Sequence, residues 1–236
     1  MEILKGIKIK GKALWIKSEK ALIFGDFHIG YEEALAKQGF LVPRSMFLEM
    51  KKEIEELLKL KPKIIVINGD LKHEFGKISI QEWQEALEII DMIPKSCKVI
   101  LIKGNHDKIL EPIARKRDVD VRDFLILGEI AVLHGHKIPI DKDIYNKKVK
   151  TIIIGHEHPA ISIQDNIKKE KFKCFLKGKW HGKNLVVIPS SFLGTEGTDV
   201  KREELLSPFL NEKSIKEFEV FVVGDKIYRF GKVKGI

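Results

Sequence analysis

Leu22-Ile23-Phe24-Gly25-Asp26-Phe27-His28 is a short apolar run that ends in a glycine and two residues of metal-binding type. Four more junctions repeat the form: Ile65-Val66-Ile67-Asn68-Gly69-Asp70, Leu101-Ile102-Lys103-Gly104-Asn105-His106-Asp107, Ala131-Val132-Leu133-His134-Gly135-His136 and Ile153-Ile154-Gly155-His156-Glu157-His158. Six of the chain's eight histidines lie in these five places. Continuous apolar runs with β-branched residues read as buried strands, and a glycine at the end lets the backbone turn sharply and come close to a ligand. Strand tips of this kind converge on one edge of a sheet, where α/β proteins place their sites. Histidine, carboxylate and asparagine side chains meeting there make a hard-to-borderline coordination sphere with no thiolate in it. The expectation is a multi-metal hydrolytic centre.

Outward from the junctions, the first half of the chain alternates strands with helices. Residues 7–16 alternate apolar and polar around Gly11 and read as a hairpin. A short helix is expected over residues 31–38, closed by Gly39. A longer one is expected over 44–60, with Phe47, Met50, Ile54, Leu57 and Leu58 at helical spacing between Pro43 and Pro62. Ser79 and Glu82 form a capping-box pattern ahead of Trp83, Ala86, Leu87 and Ile90, and Pro94 marks the stop. In the second half Phe172, Cys174 and Leu176 alternate with lysines, and Phe218, Val220 and Val222 alternate before Gly224-Asp225 and another strand-like run. Both halves fit an α/β fold of two packed mixed β-sheets flanked by helices, a four-layer αββα sandwich. The expected organisation is a single domain over 1–236, with a motif core at about 20–200 and C-terminal strands over 214–231 completing the sheets.

A chain of 236 residues that is 44% hydrophobic buries a substantial core. No stretch approaches the roughly 18 consecutive apolar residues of a membrane span, and Met1-Glu2-Ile3-Leu4-Lys5 lacks the apolar segment of a secretory signal, so a cytoplasmic protein without membrane contact is expected. Cys97 and Cys174 share no CxxC spacing and read as buried free thiols. The net charge of +9 comes mostly from lysine and is accompanied by 34 acids. Abundant lysine, glutamate and isoleucine beside four glutamines resembles a heat-adapted (thermophile) proteome. The positive field favours anionic substrates, phosphates among them.

Asp26 and His28 are two apart, so on an extended strand both would face one cation, and His156 and His158 repeat the spacing. Asp70 offers two oxygens able to bridge two metals, Asn105 an amide oxygen, and His134, His156 and His158 imidazole nitrogens. Two cations about 3.5 to 4 Å apart activate a water and stabilise charge on the attacking and leaving oxygens. Singly, Asp-x-His, Gly-Asp or a lone histidine has an ordinary explanation as turn or core. Their order, each capping a predicted strand and together supplying about seven ligands, does not.

Together these fragments resemble the ordered signature of calcineurin-like metallophosphoesterases over about residues 20–200. Residues 26–34 and the following Leu41-Val42-Pro43-Arg44 resemble an archaeal branch related to the nuclease subunits of double-strand-break repair. The resemblance implies the metallo-dependent phosphatase type of αββα sandwich and two divalent cations, manganese first, with iron, zinc, nickel or cobalt also suited to N/O ligands. By it, Asp26, His28 and His158 hold the first metal, Asn105, His134 and His156 the second, and Asp70 bridges them. His106 is then the general acid, and Asp107 either orients or charges that imidazole or is a turn carboxylate. The family pattern favours His134 over His136 as ligand, leaving His136, with Arg44, beside the ligands or at the substrate. His73, in the loop after Asp70, is within reach of a phosphate but is expected as a solvent-exposed loop residue in preference, and His181 on the surface, while Ser190, Ser191, Gly194 and Thr195 are expected at a pocket rim.

The leading expectation is a metal-dependent phosphodiesterase or nuclease, with a phosphoester and possibly nucleic acid as partner. Only about 36 residues follow residue 200, few for the capping domain of repair nucleases, so a small phosphodiester, cyclic nucleotide or phosphomonoester is the alternative. A non-catalytic scaffold of the same fold would be expected to have lost ligands. A metallo-β-lactamase-like hydrolase would need a His-x-His-x-Asp-His run, which the sequence lacks.

Overall fold

The apolar runs are uninterrupted because their two faces meet different cores. Leu22 and Phe24 pack in a cluster with Phe47, Ile65, Ile67, Ala86 and Leu101, while Ile23 points the other way, into a cluster with Val66, Ile100, Val132, Ile153 and Val186. Successive side chains leave a strand on opposite faces, so only a strand covered on both sides needs an apolar residue at every position. The second cluster is the seam between two sheets. A third, with Ala131, Leu133, Ile152, Ile154, Leu185 and Val187, lies on the far face of the second sheet.

The computed structural model describes residues 1–40, 45–76, 78–165 and 168–236. Among them the first sheet takes seven strands in chain order: β1 (Glu2–Leu4), β2 (Ile7–Lys10), β3 (Ala13–Ile16), β4 (Ala21–Gly25), β5 (Ile64–Asn68), β6 (Lys98–Ile102) and β7 (Asp120–Arg122). The first four pair antiparallel, and β4 to β7 pair parallel. Their crossovers carry α1 (Tyr31–Lys37), α2 (Ser45–Leu58), α3 (Ile80–Asp91) and α4 (Glu111–Arg117), of which α2, α3 and α4 supply the outer cluster. The second sheet takes β8 (Phe124–Leu127), β9 (Ile130–Leu133), β10 (Thr151–Ile154), β11 (Pro159–Asp165), β12 (Lys168–Trp180), β13 (Lys183–Val187), β14 (Thr198–Asp199), β15 (Glu219–Val223) and β16 (Ile227–Lys232). At its centre β9, β10 and β13 run parallel. Its far face is covered more thinly, by Val200, Phe209 and Leu210 and by Ile215 of α5 (Glu212–Ile215). Two mixed sheets with flanking helices make this the metallo-dependent phosphatase type of sandwich. No described helix is long and apolar enough to cross a membrane.

Local sequence accounts for several boundaries. The Ser79 hydroxyl accepts from Glu82 N at 3.1 Å and Ser79 N donates to Glu82 Oε2 at 2.7 Å, the reciprocal pair of a capping box. Helix α2 begins at Ser45, next to residues 41–44, which lie outside the described set. One boundary differs from expectation. Residues 214 and 215 belong to α5, because the Asn211 side chain accepts from Ser214 N at 2.8 Å and caps a helical turn there, and the strands begin only at Glu219.

Candidate metal centre

Strands β4, β5 and β6 of one sheet and β9 and β10 of the other bring their C-terminal ends together, and past those tips the chain turns instead of extending. His28, Asp70, His156 and His158 have φ of 44°, 46°, 63° and 48°. Side chains with a Cβ rarely adopt that left-handed region, and where they do the surroundings hold them there. The two-residue spacings therefore do not act by same-face alternation on an extended strand; tight turns deliver these side chains. Two glycines make room. At Gly69 (φ 87°) a Cβ would overlap the His134 imidazole, and at Gly104 it would overlap the Asp70 carboxylate.

The turns gather two groups of ligand atoms that include a carboxylate, and beside them a third made of His28, His73 and His106 alone. His158 Nε2 lies 3.2 Å from Asp26 Oδ1 and 3.3 Å from His28 Nε2. His134 Nε2 lies 3.4 Å from Asp70 Oδ2 and 3.1 Å from Asn105 Oδ1. Asp26, His28 and His158 each offer an atom within 4.8 Å of the others, and so do Asp70, His134 and His156. The His134 ring is aimed from behind: Nδ1 donates to the Asn68 carbonyl at 3.2 Å, leaving Nε2 for the centre, and Asn68 Nδ2 donates to the Leu133 carbonyl at 3.0 Å. Asp26 is held by its backbone, whose carbonyl accepts from Ser190 Oγ at 2.8 Å and Ser191 N at 3.1 Å.

Charge follows from burial and proximity. Burial alone would raise Asp26, but the His158 and His134 imidazoles hold it below the usual carboxylate range. Asp70 goes the same way, the hydrogen bond and charge of His134 outweighing burial. Burial, with its neighbours' charge, pushes His28 down to about 3 and His156 down to about 4, so both keep free lone pairs. For His134 burial is overcome by the Asp26 charge and the Asp70 hydrogen bond, which raise it to about 9. Two ionised carboxylates, an amide oxygen and imidazole nitrogens facing inward suit a pair of divalent cations, and a cation entering beside His134 must displace its proton.

The remaining expected residues fall into place differently. His106 Nδ1 donates to the His73 carbonyl, and Nε2 faces Asp70 Oδ2 at 3.9 Å. The buried Asp107 carboxylate accepts from the amides of Gly104 (3.0 Å), Leu71 (3.3 Å) and Lys72 (3.5 Å), so it clasps the loops behind the centre like a turn carboxylate. His136 stands beside the candidate ligands, its ring 5.2 Å from His134 and 6.1 Å from His156. Arg44 lies outside the described residues. Ser190 and Ser191 are buried beneath Asp26 instead of lining a rim. His73 is not a solvent-exposed loop histidine: its ring lies 5.7 Å from His28 and 5.5 Å from His106. Glu82 Oε1 accepts from His73 N at 3.0 Å and Glu74 N at 2.7 Å, which ties that loop to α3. The three-residue step from Asp70 to His73 was the available sign. Asn68, which lies behind His134, and Tyr31 and Phe192, whose rings stand against His73 and His28, gave none.

The sequence profile of the calcineurin-like phosphoesterase family matches residues 20–172. No curated protein matches the chain significantly in sequence. The crystal structure of the Pseudomonas putida nuclease MPE superposes with a TM-score of 0.64 at 18% identity, over 93% of this chain and 91% of that one, and shares its fold. YfcE, a phosphoesterase from E. coli, aligns over 87% of this chain and 88% of its own, with 12% identity and a TM-score of 0.39.

Proposed function

The chain belongs to the calcineurin-like phosphoesterase family of metal-dependent hydrolases, and we propose that its substrate is a phosphodiester, nucleic acid foremost. The observation that carries this reading is the convergence of two ligand groups on Asp26 and Asp70 with His106 Nε2 at their edge. Asp26, His28 and His158 would hold one cation, Asn105, His134 and His156 the other, and Asp70 both. Bound there, divalent cations supply Lewis acidity to the phosphoryl oxygens and to a water; manganese is the first choice for this mixed N/O set. His106 gives a proton to the departing oxygen, since its Nδ1 is occupied by the His73 carbonyl and only Nε2 is free to face substrate. Asp107, Asn68 and Ser190 hold these groups in position. The net charge of +9, the sequence resemblance to double-strand-break repair nucleases and the fold shared with a nuclease favour a diester over a monoester. Two buried, unpaired thiols, Cys97 and Cys174, suit a reducing compartment, the cytoplasm.

The test is turnover of an aryl phosphodiester, its monoester and single-stranded DNA by manganese-loaded protein. Diester and DNA cleavage abolished by chelator is expected, and His106→Ala should lose about 100- to 10,000-fold in kcat while keeping both metals. Preference for the monoester would make the protein a phosphomonoesterase. Absence of any turnover would make it a scaffold.

A further inference from the structure

Phe75 is 48% exposed and belongs to none of the three hydrophobic clusters. Its ring lies against the His106 imidazole instead, centroids 3.7 Å apart and planes 30° from parallel. A single exposed aromatic needs no explanation by itself; one laid over the group that delivers the proton does. The backbone leading into the ring is fastened, because the His73 and Glu74 amides both donate to Glu82 Oε1 and the Lys72 ammonium donates to the Glu74 carbonyl. The other aromatics of the site differ. Tyr31 meets Phe192 and His73 edge to face, and Phe192 is buried beside His28. Phe75 is the one of these three left about half open to solvent.

A proton donor must stand next to the oxygen that leaves, so a ring packed on that donor stands next to whatever the oxygen carries. Building on the role proposed above for His106, we infer that Phe75 is a stacking platform for a planar group on the leaving side of the phosphodiester, a nucleobase foremost. Every base presents a π-face, so such a platform gains affinity for nucleic acid without reading its sequence. An aliphatic leaving group has no π-face and would gain less from it.

The experiment compares kcat/KM of the manganese-loaded protein on a dinucleoside monophosphate and on two twins, one lacking the base on the leaving side and one lacking it on the retained side. Wild type should favour the leaving-side base on the order of tenfold, within the range of base stacking on an aromatic side chain. Phe75→Ala should reduce that preference to about twofold or less, and Phe75→Trp should keep it. An undiminished preference in Phe75→Ala, no preference in wild type, or a preference set by the retained side overturns the inference. So does an equal loss on all three substrates, which would make Phe75 a prop for His106. Cleavage of an aryl phosphodiester with none of any dinucleotide overturns it too and leaves the hydrolase standing. Failure on every phosphodiester brings down the proposed function itself.

Discussion

Lys173 offers a test of the scaffold beneath the centre that is independent of substrate. Its ammonium donates to the Ser190 carbonyl at 2.9 Å and to the Phe192 carbonyl, in the loop that holds the Asp26 backbone. Burial, aided by the Lys12 charge, pushes it down from 10.5 to about 7, against the pull of Asp26 and Glu53. A lysine whose folded value lies below its unfolded one penalises the native state while it is charged. That penalty is present below about pH 7 and is relieved as the pH rises toward the unfolded value near 10.5. At about 1.4 kcal/mol per tenfold step in proton affinity, roughly 2 kcal/mol of the relief falls between about pH 7 and 9. Lys173→Met has no such proton. In urea unfolding of metal-free protein, wild type should therefore gain about 2 kcal/mol on the variant over that interval. A difference between the two that stays flat with pH would refute the reasoning and show that the two carbonyls keep the lysine charged.

Three further outcomes follow from the geometry. Gly69→Ala should lose at least about 2 kcal/mol in thermal unfolding, from a left-handed backbone and an overlap with His134, and elemental analysis should find less than two metals per chain; full loading would contradict it. Asn68→Ala removes the side chain that fastens β5 to Leu133 beside the carbonyl aiming His134, and metal affinity should fall about 10- to 100-fold in competition with a chelator; unchanged affinity would place the control of that imidazole elsewhere. Because His134 is raised to about 9, it is protonated near pH 7 in metal-free protein, so metal uptake should release about one proton and affinity should weaken as the pH falls below about 9. Calorimetry in buffers of different ionisation enthalpy measures this, and zero release would contradict it.

The elements were legible wherever burial imposes a period. Leu22-Ile23-Phe24 and Ile152-Ile153-Ile154 divide their side chains between two cores, and that double coverage is what an unbroken apolar run records. Ser79 and Glu82 announced α3 through their own hydrogen bonds. The turns past the strand tips were less legible, because period-two reasoning presumes extended backbone and His28, Asp70, His156 and His158 are left-handed. His73 and Asp107 resist a local reading for a related reason. What they do depends on partners distant in the chain, His28 and the Leu71 and Lys72 amides, and no local spacing encodes those. Ser190 reaches Asp26 across the seam between the sheets, and a run of small residues looks the same whether it covers a loop or underlies a site.

Anomalous diffraction from manganese-loaded crystals tests the central claim most directly. Two peaks about 3.5 to 4 Å apart are expected, one among Asp26, His28 and His158 and one among Asn105, His134 and His156, with Asp70 touching both. A single peak, or peaks away from Asp70, would contradict it.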